Sequence, residues 1–173
     1  NKVIEILAAA VPVDAIFLGK LFSMLAISLV GIVVWVAAGA LAIQTLAIHG
    51  LGGLPEPAVG WPLFLTLAPI YFAMNYLLIG GVFMGIGAQA SSVREVQTLS
   101  MPVTMVQVLF FGFASMGIGH PDSAAAIGSA VFPLSSAISM IGRAAEQGAL
   151  WPHVAALLWQ ALWVVVILHA SAS

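Results

Sequence analysis

From Lys20 to Glu56 the chain meets no charged residue, and residues 21–48 are almost wholly apolar. About 28 residues make a helix of roughly 42 Å, longer than the ~30 Å hydrocarbon core of a bilayer. Tilt, or a last turn standing beyond the lipid, absorbs the excess. The rest of the chain has the same character. Charged residues are 6% of it, hydrophobic residues 62%, and the mean hydropathy is +1.16. A soluble domain carries roughly 25% charged residues. Four Lys and Arg with six Asp and Glu cannot cover a water-exposed surface on 173 residues, so lipid is the solvent for much of it. The expected class is an all-α integral membrane protein.

Glycine, proline and the few charges divide the sequence further. Residues 49–62 hold Gly50, Gly52, Gly53, Pro55, Pro57, Gly60 and Pro62 and read as a loop, with Trp61 as an interfacial anchor. A second span is expected over 63–90, bent near Pro69, with a small-residue seam through Gly80, Gly81, Gly85 and Gly87. A polar turn at 91–97 precedes a third span over 98–118, and residues 119–123 break it. Residues 124–140 are apolar but interrupted at Pro133, and each half is shorter than the ~20 residues a span needs. A re-entrant or interfacial helix pair on the outer side is expected there. Residues 141–148 carry Arg143 and Glu146 and read as wet. Trp151-Pro152 opens the last span, over 150–170. The chain begins without Met and ends inside an apolar run, which reads as a piece of a longer protein.

Lys2 and Lys20 precede the first span, and Arg94 lies between the second and third. Only Arg143 falls on the opposite side, so the positive-inside rule puts the start of the chain and the Arg94 turn in the cytoplasm. Net charge is −2, with no basic face for nucleic acid. Cysteine is absent, which removes disulfides, thiol chemistry and Cys-based metal sites.

The first twenty residues are unusual. Val3, Ile4 and Leu7 fall on one face of a short helix over 1–12, with Lys2 and Glu5 off it. Periodicity alone also fits a helix resting on lipid headgroups. Asp14 caps a new helix that runs through Phe17, Leu18, Gly19 and Lys20 into the first span. The pattern of Asn1, Lys2, Glu5, Leu7, Pro12 and Val13, followed by Leu18-Gly19-Lys20, resembles the type-2 export class of ABC transporter permeases, which includes the NatB-like permeases. The run from Gly87 to Gln97, with Ser91, Arg94 and Glu95, resembles the cytoplasmic turn of that class. Phe132-Pro133-Leu134-Ser135-Ser136 resembles its outer segment, without the usual second proline. The resemblance covers essentially the whole chain and places it after the second membrane helix of such a permease.

The resemblance implies a transport subunit of a cytoplasmic-type (inner) membrane, multi-pass, and not an enzyme. It implies a cytoplasmic ABC ATPase as partner, which holds the ATP and Mg, and a second permease copy, homo- or heterodimeric. Residues 1–12 are then a coupling helix: Lys2, Val3, Ile4, Glu5, Leu7 and Ala8 face the ATPase, together with Arg94 and Glu95. No cofactor is expected in this chain. A non-ABC secondary carrier or structural membrane subunit is the alternative.

The residues bear on both readings. Gly19-Lys20 lacks the spacing of a phosphate-binding loop, so hydrolysis belongs to another chain. His49, His120, His153 and His169 all fall at or near span ends and read as interfacial histidines rather than metal ligands. No carboxylate lies inside a span, which argues against a proton-coupled carrier. Asn75, Gln107 and Gln160 are polar residues within spans and are the candidates for the translocation pathway. Hydrogen bonding between helices, worth roughly 0.6–2 kcal/mol, is the other reading of each.

Overall fold

The structure, a computed structural model, describes residues 13–46 and 48–172. The expected coupling helix at 1–12, with Lys2, Val3, Ile4, Glu5, Leu7 and Ala8, lies outside the described residues. Those described form helices and no strand. Helix α1 spans Val13–Leu46, α2 Trp61–Gln89, α3 Val93–Ser115, α4 Ala124–Val131, α5 Pro133–Glu146 and α6 Trp151–Ala172, with a short 3₁₀ turn at Gly50–Gly53. Four of them, α1, α2, α3 and α6, are long and apolar enough to cross a membrane.

Local chemistry accounts for the boundaries. Gly60 takes φ 80°, and Pro62 follows in the first turn of α2, where its missing N–H leaves no intrahelical bond unmade. Helix α2 ends at Ala90 in extended conformation. Ser92 then caps α3 by accepting the Glu95 N–H, and the Glu95 carboxylate accepts the Ser91 N–H at 2.8 Å and the Ser91 hydroxyl at 2.7 Å. This is a capping box displaced by one residue. Helix α3 therefore begins at Val93, one turn before the sequence-expected span, and ends at Ser115.

Alternate chain directions define two ends of the bundle. One holds the start of α1 and the Arg94 turn. The other holds the 48–60 loop, the 116–123 turn and the start of α6. Helices α4 and α5 both open onto this second end and fold back on each other. Phe132, extended at ψ 124°, is the single residue between them. Pro133 favours that geometry, because its ring disfavours the helical conformation at the residue before it. The arms are held by serines. Ser135 Oγ donates to Ser129 O at 2.7 Å, and Ser139 Oγ lies 3.0 Å from Ser129 Oγ and donates to Ala126 O. At the tip Phe132 stacks on Phe110 of α3, centroids 3.8 Å apart, and Trp159 Nε1 of α6 donates to Val131 O at 2.7 Å.

Helix α5 is the most enclosed element. Ser135, Ser136, Ala137, Met140 and Ala144 are buried. It touches α2, α3, α4 and α6. It also runs on through Ile141–Glu146, where Ala145 and Glu146 are exposed. Ala144 is fully buried, and only the last turns reach the bundle end. The 48–60 loop closes that end. Ala58 N–H and Val59 N–H donate to Ala145 O and Ala144 O, two of the carbonyls that a helix C-terminus leaves unpaired.

Candidate functional site

Helices α2 and α6 run parallel and in close contact, and their register positions the site. Gly81 permits the approach: a Cβ there would lie 3.0 Å from Ile167 Cγ2 and 3.2 Å from Leu168 Cδ2. Gly85 meets Ser171 in the same way, and Gly80, on the neighbouring face, meets Leu21 of α1. Toward the loop end, Tyr71 Oη lies 2.9 Å from His153 Nδ1. The position on α6 level with Asn75 is therefore between His153 and Ile167, on the turn that carries Gln160. On α5, Ser136 stands one turn from Met140, on the same face, and Met140 packs in the core cluster with Tyr71, Leu67 and Ala144. Asn75, Ser136 and Gln160 thus occupy one level, where α2, α5 and α6 meet.

The polar atoms at this level have no protein partner. Asn75 Oδ1, Ser136 Oγ, and both Gln160 Oε1 and Nε2 are buried without a hydrogen bond. His153 Nε2, toward the loop end, and Trp163 Nε1, one turn further along α6, share that condition. Gln160 is 1% exposed and His153 2%. Buried polar groups in proteins are almost always paired, and an unpaired one costs about 1–3 kcal/mol. Unpaired polar groups at one height on three helices, with no carboxylate among them, can each accept or donate a hydrogen bond to water or a polar group. Among the described residues, no three His, Asp or Glu side chains gather to hold a metal ion.

Asn75 and Gln160 lie at similar heights on the neighbouring helices α2 and α6, whereas Gln107 lies on α3. Gln107 is half-buried on α3, on the far side of α5, beside Leu134, Val103 and Ile79. His153 is a correction. It is not an interfacial histidine: although two residues from the start of α6, it is buried against Tyr71 because α5 and the 48–60 loop cover this end of the bundle. From the sequence, His153 reads only as an interfacial histidine and Ser136 only as part of the Phe132–Ser136 segment, and Tyr71 has no role. The available signal was weak: Ser136, Met140 and Ala144 recur every four residues within a segment divided by Pro133.

At the other end, Arg94 and Glu95 differ in what they do. Glu95 is engaged in capping α3, whereas Arg94 is exposed and has no side-chain partner among the described residues. At the loop end, Arg143 donates to Pro121 O at 2.9 Å and pairs with Asp122 at 3.2 Å, while Glu146 accepts the Gly119 N–H. These contacts fasten α5 to the 116–123 turn.

Comparison with known proteins agrees with this architecture. A family model described as ABC-2 family transporter protein matches residues 1–172. No curated protein and no solved structure matches the chain. A multi-pass helical bundle matched over almost all its length by that family model belongs to the ABC-2 transporter family, whose members are the membrane permease components of ABC-type transport.

Proposed function

We propose that this chain is the permease of an ATP-driven exporter, moving its substrate by alternating access as a separate cytoplasmic ATPase binds and hydrolyses ATP with Mg. The permease works as a dimer in the cytoplasmic membrane. The Arg94 end faces the cytoplasm and the α4–α5 hairpin opens outward, as the distribution of Lys and Arg favours. Residues 1–12 and exposed Arg94 meet the ATPase, and Glu95 supports that surface by holding the turn that carries Arg94. Asn75, Ser136 and Gln160 belong to the translocation pathway; Gln107 contributes from the opposite flank of α5.

One observation carries the pathway assignment: three polar side chains at one level, on three different helices, leave buried atoms unpaired. A membrane bundle gains nothing from such groups in a resting state. They become useful when the helices separate and a polar substrate or water reaches them. The α4–α5 hairpin is suited to that separation. It meets α6 chiefly through apolar packing and the Trp159–Val131 bond, and it meets α3 through the Phe110–Phe132 stack.

The test is co-purification of the intact permease with its nucleotide-binding partner, followed by transport into inverted vesicles. ATP-dependent uptake that disappears in Gln160→Met, with the complex still assembled, supports the reading. A permease that never associates with an ATPase overturns it in favour of a non-ABC carrier or structural subunit.

A further inference from the structure

Helix α1 is held in its first half and again at its far end, and not between. It runs 34 residues without a proline, from the end of the bundle where the chain starts to the end closed by the 48–60 loop. At 1.5 Å per residue that is about 51 Å of helix. Its packing against α2 centres on Leu21, 2% exposed, and Leu25, 7% exposed. A Cβ on Gly80 of α2 would lie 2.7 Å from Leu21 Cδ1, so the two helices touch there. The enclosed stripe ends at Ile32, and every residue from Val33 to Gly39 is exposed.

The far end is held by the loop. Gln44 Oε1 accepts the Leu51 N–H at 3.1 Å, and the backbone at Gly50 passes so close that a Cβ there would lie 2.8 Å from the same oxygen. The chain leaves the 3₁₀ turn at Leu54 with φ −76° and ψ 135°, near polyproline II. It then passes Pro55 and Pro57, whose rings fix φ. Such a segment acts as a semi-rigid spacer rather than a slack loop. Pro57 is buried, and the next two residues donate their N–H groups to α5: Ala58 to Ala145 O at 2.9 Å and Val59 to Ala144 O at 3.2 Å. Gly60, at φ 80°, turns the chain after these bonds and separates the segment from α2. The stiff piece therefore ties the far end of α1 to the C-terminus of α5, the helix that carries Ser136 at the polar level.

We infer that α1 is a lever and residues 48–60 its strap. The inference rests on the reading that a cytoplasmic ATPase acts on residues 1–12. A push on the start of α1 turns the helix about the Leu21–Gly80 contact, and the strap passes the displacement of the far end to α5. Helices α2 and α6 form the frame against which α5 moves, because the Tyr71–His153 contact and the Gly81 and Gly85 contacts hold them together. Val13 to Leu21 is about 12 Å of helix and Leu21 to Gln44 about 35 Å, so the lever enlarges the input motion roughly threefold.

Two variants of the intact permease test this. Gln44→Leu removes the acceptor of the Leu51 N–H at the lever's end. In nanodiscs, without ATPase, amide hydrogen exchange should quicken about fivefold at Leu51 and equally at Ala58 and Val59, because the strap carries the release onward. Insertion of Gly-Gly-Gly between Pro55 and Glu56 leaves the bonds at both ends in place and makes the strap slack. In that background Gln44→Leu should quicken Leu51 alone. In the assembled complex the insertion should leave ATP hydrolysis running while transport per ATP falls about tenfold. Quickening confined to Leu51 in the Gln44→Leu variant overturns the lever, as does undiminished transport per ATP in the insertion variant. The exchange readout needs no ATPase, so failure of the lever is separate from failure of the export reading.

Discussion

Tyr71 and His153, 82 residues apart in sequence, meet through a 2.9 Å contact between the phenol oxygen and Nδ1. The pair locks α2 to α6 near the loop end, and the glycine contacts Gly81–Ile167 and Gly85–Ser171 lock them near the other. Between the two locks sit Asn75 and Gln160. The polar level is thus held in register by contacts above and below it.

Tyr71→Phe removes the one side-chain partner His153 has and leaves both ring nitrogens unpaired in a buried position. The expected loss of stability is about 1–3 kcal/mol. Thermal unfolding of the detergent-solubilised protein measures it, and an unchanged midpoint would show that the pair does not hold the helices together.

The glycine seam predicts opposite outcomes at neighbouring positions. Gly81→Val drives a branched side chain into Ile167 and Leu168 and should cost about 1–3 kcal/mol. Gly87→Ala, with nothing within 4 Å of the new Cβ, should stabilise the helix by up to ~1 kcal/mol. Unfolding midpoints of the two variants, measured side by side, check the assignment.

Gln160→Met replaces two unpaired buried polar atoms with an apolar chain of similar length. Stability should hold or rise, because no hydrogen bond is lost. ATP-driven transport should fall about tenfold or more, ~1.4 kcal/mol in the barrier. Full transport in a stable variant would remove Gln160 from the pathway.

Arg94 and Glu95 separate docking from folding. Glu95→Ala loses the capping interaction and should lower the thermal unfolding midpoint. Arg94→Ala should leave stability unchanged and weaken capture of the ATPase, read by pull-down. Equal effects of both variants on both readouts would merge the roles.

Trp159→Phe keeps the ring and removes the N–H that reaches Val131 O at the hairpin tip. Amide hydrogen exchange in residues 124–135 should quicken by several-fold, in keeping with the ~1 kcal/mol of one hydrogen bond. Unaltered exchange would mean that the Phe110–Phe132 stack alone pins the tip.

Composition and spacing decided the solvent and the helices. Twenty-eight uncharged, almost wholly apolar residues after Lys20 have no stable place in water, and Pro133 divides a segment whose halves are each too short to span. Tertiary structure decided what those helices enclose. A chain with apolar residues on all sides of its spans carries little periodic signal for which face is buried, so nothing local marks Ser136 as central or Gln107 as separate from Asn75. Nor does the Pro/Gly loop announce that Ala58 and Val59 will cap α5 and shut His153 away from water. Those outcomes depend on the register between α2 and α6, and that register rests on contacts between glycine backbone and side chains more than eighty residues away.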